Sequence, residues 1–250
     1  MPTQTLRVPT PDGQADAFAA YPDGGGRYPA VLVYTDVFGV RPVLEEMARE
    51  LAGHGYYVLV PNFYYRHGPA PVVELPAFIA TKSRPEIFAE LVPLLRESVT
   101  PEHVLRDAEA YLTFLAGRPE VAEGPVAVTG YCIGAMLALS TAAAHPDRVA
   151  AVAGFHPAAV VNEEPDSPHL LIPTLAAEVH LGLAEGDMTP EITRTLFDAL
   201  DAAGARDTCE IYPDTAHGFT MADTEALSPS GLERHWERLL ALLGRTLGKS

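Results

Sequence analysis

The sequence is short of cations. Its 17 Lys and Arg stand against 33 Asp and Glu, a formal net charge of −16 over 250 residues. Such a surface repels nucleic-acid phosphates and anionic membrane headgroups, so neither is expected as a partner. The acidity is read as solubility. Cysteine is equally scarce, with Cys132 and Cys209 alone. No cationic start followed by an apolar core opens the chain, so no secretory signal is expected. A reducing, cytoplasmic setting then leaves each thiol to be explained separately. No apolar run approaches the ~20 residues needed to span a bilayer. The nine histidines and two cysteines lack any C-x-x-C or H-x-x-x-H spacing, and neither a metal nor a cofactor is expected. Repeats, charge blocks and long polar linkers are also missing, which points to one domain over residues 1–250.

What is present is alternation. "YPAVLVYTD" and "YYVLVPN" are continuous apolar runs of the kind buried on both faces of a sheet. Between them Val43, Leu44, Met47, Ala48, Leu51 and Ala52 recur at helical spacing. Thr100 and Pro101 open a helix that Arg118 and Pro119 stop, and residues 190–203 predict another with Gly204 as its stop. The last helix is expected from about Ser228, with Leu232, Trp236, Leu239, Leu240 and Leu243 as its apolar face. Residues 64–99 are Pro-rich and irregular, and short helices in a cap or loop excursion are expected there. Strand and helix otherwise alternate from end to end. The fold class is therefore α/β: a doubly wound, mostly parallel sheet with helices on both faces.

In "VAVTGYCIGAMLAL" an apolar run gives way to an Ala- and Leu-rich segment at Cys132, between Gly130 and Gly134. In open α/β sheets functional groups collect at the carboxyl ends of strands. A G-x-S-x-G nucleophile elbow has this shape, with cysteine here replacing serine. A helix N-terminus beneath a thiol favours the thiolate. The alternative is a small buried core residue. A hydrolase elbow also requires an acid and then a histidine, each after a later strand. His217 in "YPDTAHGF" has that position. His156 in "GFHP" comes too early to be the base and is read as structural or substrate-facing. His54 and His145 sit at a helix end and a turn, and His235 is expected on an exposed helix face. Asp187 is favoured as the acid, although it could instead cap the helix near Pro190. Glu185 is one loop turn away, and Asp214 suits a local turn cap.

Together "TDVFGVRP", "GYYVLVPNFYYR", "GYCIGAM", the Asp187 loop and "YPDTAHGF" resemble, in this order, the dienelactone hydrolase family of α/β-hydrolases. The resemblance implies the α/β-hydrolase fold, with Cys132 as nucleophile, His217 as base and Asp187 orienting it. It implies an oxyanion hole from the N–H groups of Val37 and Ile133. It also sets Asp36 where members carry a glutamate that modulates the resting thiol; by itself Asp36 could equally be a turn or cap residue. Dienelactone-cleaving members place a carboxylate-binding arginine where this chain has Met221. Arg66 or Arg84 is the substitute expected by location, with Tyr64 and Tyr65 lining the pocket.

A thiolate leaves more readily than an alkoxide, so enol lactones, activated esters and thioesters suit Cys132 better than amides or alkyl esters. The expectation is a carboxymethylenebutenolidase-like ester or lactone hydrolase with a small-molecule substrate, acting as a monomer or homodimer. The competing reading is a hydrolase fold turned to ligand binding or sensing, its thiol inert or merely redox-reactive. Cys209 reads as an interior strand residue.

Overall fold

The computed structural model describes residues 1–165, 167–203 and 208–248. Gly204, the expected helix stop, lies outside them. The strands are β1 (Thr3–Thr10), β2 (Gly13–Ala20), β3 (Ala30–Tyr34), β4 (Tyr57–Pro61), β5 (Val126–Tyr131), β6 (Val149–Phe155), β7 (Glu178–Ala184) and β8 (Thr208–Tyr212). The helices are α1 (Pro42–Gly53), α2 (Arg84–Ser98), α3 (Pro101–Ala116), α4 (Ile133–Ala144), α5 (Pro190–Ala203) and α6 (Pro229–Thr246). Among the described residues the strands form one sheet in the order β1-β2-β4-β3-β5-β6-β7-β8. The pairs β1–β2 and β2–β4 are antiparallel, and from β4 to β8 the sheet is parallel. This is an α/β-hydrolase arrangement.

The apolar runs behave as their composition dictates. Every residue of β3, β4 and β5 is buried, because helices cover both faces. On one face α2, α3, α4 and α5 contribute Leu91, Tyr111, Leu137 and Leu196 to the core. On the other, α1 and α6 contribute Leu44, Leu51, Leu239 and Leu243. The Thr100 side chain caps α3 by accepting from the His103 N–H. The chain leaves β3 for β4 on one side and resumes at β5 on the other. The crevice between the ends of β3 and β5 is thus the topological switch point of the sheet. No described helix is long and apolar enough to cross a membrane.

Two expectations are corrected. The second half of the irregular 64–99 stretch is one 15-residue helix, α2, entered through a 3-10 turn at Thr81–Ser83. Pro93 removes a single backbone bond inside it, and burial of Ile87 and Leu91 keeps the helix continuous. His235 is fully buried rather than exposed. The buried face of α6 is Gly231, His235, Leu239, Leu242 and Leu243; it includes Leu239 and Leu243 of the expected stripe, while Trp236 and Leu240 pack against its edge.

Candidate active site

Cys132 lies between β5 and α4 at φ 55° and ψ −118°. For a residue with a Cβ this is a strained conformation, costing roughly 1–3 kcal/mol, and the surroundings have to enforce it. They do so through the backbone. The Cys132 N–H donates to the Phe155 carbonyl at 3.1 Å, and its own carbonyl accepts from Ala135 and Ala158 at 3.1 and 3.0 Å. The flanking glycines remove the obstacles. A Cβ on Gly130 would stand 2.0 Å from the Gly134 carbonyl oxygen, and one on Gly134 would stand 2.5 Å from that of Thr35. Only with both absent can α4 turn back over β5 and press against the end of β3. The half-buried thiol thereby sits at the N-terminus of α4, where the helix dipole favours negative charge.

His217 comes from the loop after β8. Its Nδ1 is 2.6 Å from Asp187 Oδ2, and its ring lies within electrostatic reach of the Cys132 side chain. Burial pulls His217 down, but its interactions with Asp187 and Cys132 outweigh it and push it up to about 10. Asp187 follows β7, so the three groups come from the carboxyl ends of β5, β7 and β8. The competing acids are occupied elsewhere. Glu185 accepts from the Asp214 N–H at 2.8 Å, and Asp214 itself forms a turn at φ 55°. Beside His217 and Asp187 opens a cleft of about 270 Å³, walled by Pro157, Val160, Val161, Met188 and Ile192.

On the opposite side of the crevice, the Tyr64 hydroxyl donates to the Val37 carbonyl at 2.8 Å, fixing the loop after β3. Asp36 makes no hydrogen bond to the thiol. Both its oxygens are held by Arg41, and one also accepts from the Phe38 N–H. Tyr65 and Arg66 are turned away from the site. The Tyr65 hydroxyl and the Arg66 guanidinium both engage Asp107 on α3, and Arg66 reaches Asp12 as well. Arg84 lies at the start of α2 within the field of Glu225, and its Nε is buried with no hydrogen-bond partner among the described residues. Met221 is fully buried in the core beneath α6 and lines no surface. The sequence reading missed Arg41, Asp223 and Thr220. Arg41 stood inside a quoted motif, but nothing local marked its partners. Cys209 is pushed up to about 12, mainly by burial, which keeps it a thiol. Among the described residues no group of three His, Cys, Asp or Glu is placed to hold a metal ion.

His156 is fully buried at φ 38° behind the site. Its Nε2 and the Thr220 hydroxyl share a hydrogen bond of 2.8 Å, and its ring meets that of His217 edge-on at 5.2 Å. Burial first, then the charge of His217, holds it well below its ordinary value. His180 and His235 are likewise pushed down, to about 4 and about 3, chiefly by burial. These three bind protons more readily when unfolded, so the stability they contribute is complete above about pH 6.5. It is lost as pH falls from there toward 4 and 3, with a slope of up to about 1.4 kcal/mol per pH unit for each histidine. Urea unfolding at pH 7, 6 and 5 is expected to show this decline well above the carboxylate range, and a flat profile would contradict it. His217 has the opposite sign. Its contribution is complete below pH 6.5 and is lost as pH rises through about 10.

With this geometry in place, the resemblances fall into one group. The sequence model described as "Dienelactone hydrolase family" matches residues 15–247. A candidate carboxymethylenebutenolidase of Yersinia pestis is 31% identical over 241 residues, covering 93% of this chain and 84% of its own. The carboxymethylenebutenolidase of Pseudomonas sp. (strain P51) is 28% identical over 225 residues, covering 88% and 86%. Among solved structures, a candidate dienelactone hydrolase from Klebsiella pneumoniae subsp. pneumoniae MGH 78578 superposes with a TM-score of 0.83 at 24% identity, over 98% of both chains.

Proposed function

Since the chain belongs to the dienelactone hydrolase family and is a hydrolase of ester or lactone bonds, we propose that it works through a Cys132–His217–Asp187 triad and a covalent acyl-enzyme. One observation carries this reading: His217, held by Asp187 at 2.6 Å, interacts with the Cys132 side chain at the N-terminus of α4.

On this proposal His217 takes the thiol proton and Asp187 stabilises the resulting imidazolium. The thiolate forms a bond to the acyl carbon, and the carbonyl electron pair moves to oxygen. The N–H groups of Ile133 and Val37 receive that oxyanion. Collapse breaks the bond to the leaving oxygen, which His217 protonates. Water, deprotonated by His217, then attacks the thioester, and the thiolate departs from the carboxylic acid product. The leaving group must compete with a thiolate, which selects enol lactones, activated esters and thioesters. Met221 is buried and offers no charge, so it cannot pair with a carboxylate on the substrate.

Rapid acid quenching during turnover of p-nitrophenyl acetate, followed by peptide mass analysis, is expected to find an acetyl group on the peptide containing Cys132. Hydrolysis that continues with no adduct, or with the adduct on another residue, would refute the mechanism. The elevated His217 also sets the alkaline limit. The rate is expected to fall as pH rises through about 10, where the imidazolium that protonates the leaving group is lost. A pH–rate profile extended past that value checks it.

A further inference from the structure

The steps above leave one buried ion cluster unused. Arg41 is buried at the entrance to α1, and all five of its guanidinium N–H groups are engaged. Nη1 donates to Asp36 Oδ1 at 2.6 Å and to the Gly39 carbonyl at 3.2 Å. Nη2 donates to Asp36 Oδ2 at 2.9 Å and Asp223 Oδ1 at 3.2 Å, and Nε to Asp223 Oδ2 at 2.6 Å. The cluster joins two loops. Asp36 and Gly39 flank Val37 after β3, whereas Asp223 belongs to the same loop as His217. Asp223 in turn accepts the Ile79 N–H at 2.8 Å through its carbonyl.

Stability alone is a weak reason for such a cluster, because well-packed apolar side chains of similar volume often do as well as buried ion pairs. Position gives a better one. A Cβ on Gly134, two residues after Cys132, would stand 2.5 Å from the carbonyl oxygen of Thr35, the residue before Asp36, so the Cys132 elbow and the Asp36 loop abut at the end of β3. A bare carboxylate there would oppose formation of a thiolate. The other charged or titratable groups around Cys132 and His217 are Asp187 after β7, His156 after β6 and Tyr64 after β4. Of the groups on this side of the crevice, the Arg41 guanidinium is the one that cancels Asp36.

We propose that Arg41 is a positioning residue. Its guanidinium masks the Asp36 carboxylate from the Cys132–His217 pair and staples the Val37 loop to the His217 loop. This rests on the reading of Cys132 as nucleophile.

The test is the rate of Cys132 alkylation by iodoacetamide against pH, located by peptide mass and read beside kcat and KM for p-nitrophenyl acetate. Asp36→Asn leaves the Arg41 charge unbalanced, so its alkylation midpoint should fall by about one pH unit from wild type. Arg41→Met should raise the midpoint by about one unit, and the Arg41→Met/Asp36→Asn pair should bring it back. Arg41→Met should also lower kcat about tenfold or more while KM changes little. A purely structural role predicts additive losses and no return in the double variant. A midpoint that does not fall in Asp36→Asn, or does not rise in Arg41→Met, overturns the proposal. If Arg41→Met fails to fold, the Asp36→Asn arm decides. Alkylation needs no turnover, so a protein that hydrolyses no ester would sink the acyl-enzyme reading while Arg41 is still tested.

Discussion

Replacing Cys132 with alanine is expected to lower kcat/KM for p-nitrophenyl acetate by at least about a thousandfold, with the unfolding midpoint nearly unchanged. The two halves of that expectation have separate causes. Alanine keeps the Cβ, so the backbone at φ 55° is neither relieved nor further strained, and the half-buried sulfur leaves no sealed cavity behind. What disappears is the atom that bonds the acyl carbon. Binding and the two oxyanion N–H groups remain and sustain only residual turnover. Cys209→Ala supplies the contrast, since its thiol is held protonated on β8 and its loss should leave the rate within about twofold. Activity of Cys132→Ala within a few-fold of wild type would remove the acyl-enzyme from consideration.

Gly130→Ala is expected to be the most damaging single methyl group in the molecule. Gly130 has no positive φ, so the usual gain from a stiffer unfolded chain, about 0.4–1 kcal/mol, would favour alanine. Sterics decide otherwise. The added carbon would lie 2.0 Å from the Gly134 oxygen, 2.2 Å from its carbonyl carbon and 2.6 Å from the Ala135 nitrogen. All three are backbone atoms, so no side chain can swing aside. Either α4 is levered off the sheet or β5 shifts register. A loss above about 3 kcal/mol follows, enough to deplete soluble protein at 37 °C. Gly244→Ala on α6 meets nothing within 4 Å and should instead stabilise by roughly 0.5–1 kcal/mol. Comparing urea midpoints of the two variants checks the argument, and a Gly130→Ala protein as stable as wild type would contradict it.

The elbow and the two partners of Cys132 were legible because each is announced locally. Glycines at 130 and 134 sit two residues either side of the cysteine, and Asp187 and His217 each follow a strand visible as an apolar run. What escaped the sequence depends on distance or phase. Arg41 and Asp223 are 182 residues apart, and no spacing rule joins them. Tyr65 and Arg66 stand next to Tyr64, yet Asp107 on α3 draws both away. His235 was misplaced because Glu233, Arg234, Glu237 and Arg238 surround it in sequence, while in the fold it shares the buried face with Leu239, Leu242 and Leu243. Met221 lies in a loop with no periodicity from which burial could be read.

The switch point between β3 and β5 also divides the chain by task. Cys132, Asp187 and His217 all follow strands on one side of it, and Asp36, Val37, Arg41 and Tyr64 follow strands on the other. On the proposed mechanism, the segment that attacks and the segment that brings the Val37 N–H are therefore successive parts of one polypeptide, meeting along a seam. Gly134 closes that seam by direct backbone contact with Tyr34 and Thr35, and the Arg41–Asp223 bond also ties it. Sliding by a fraction of an ångström there would change the reach from sulfur to oxyanion donor while leaving both segments internally intact. Reactivity can thus be tuned by substitutions along the seam that never touch the reacting groups.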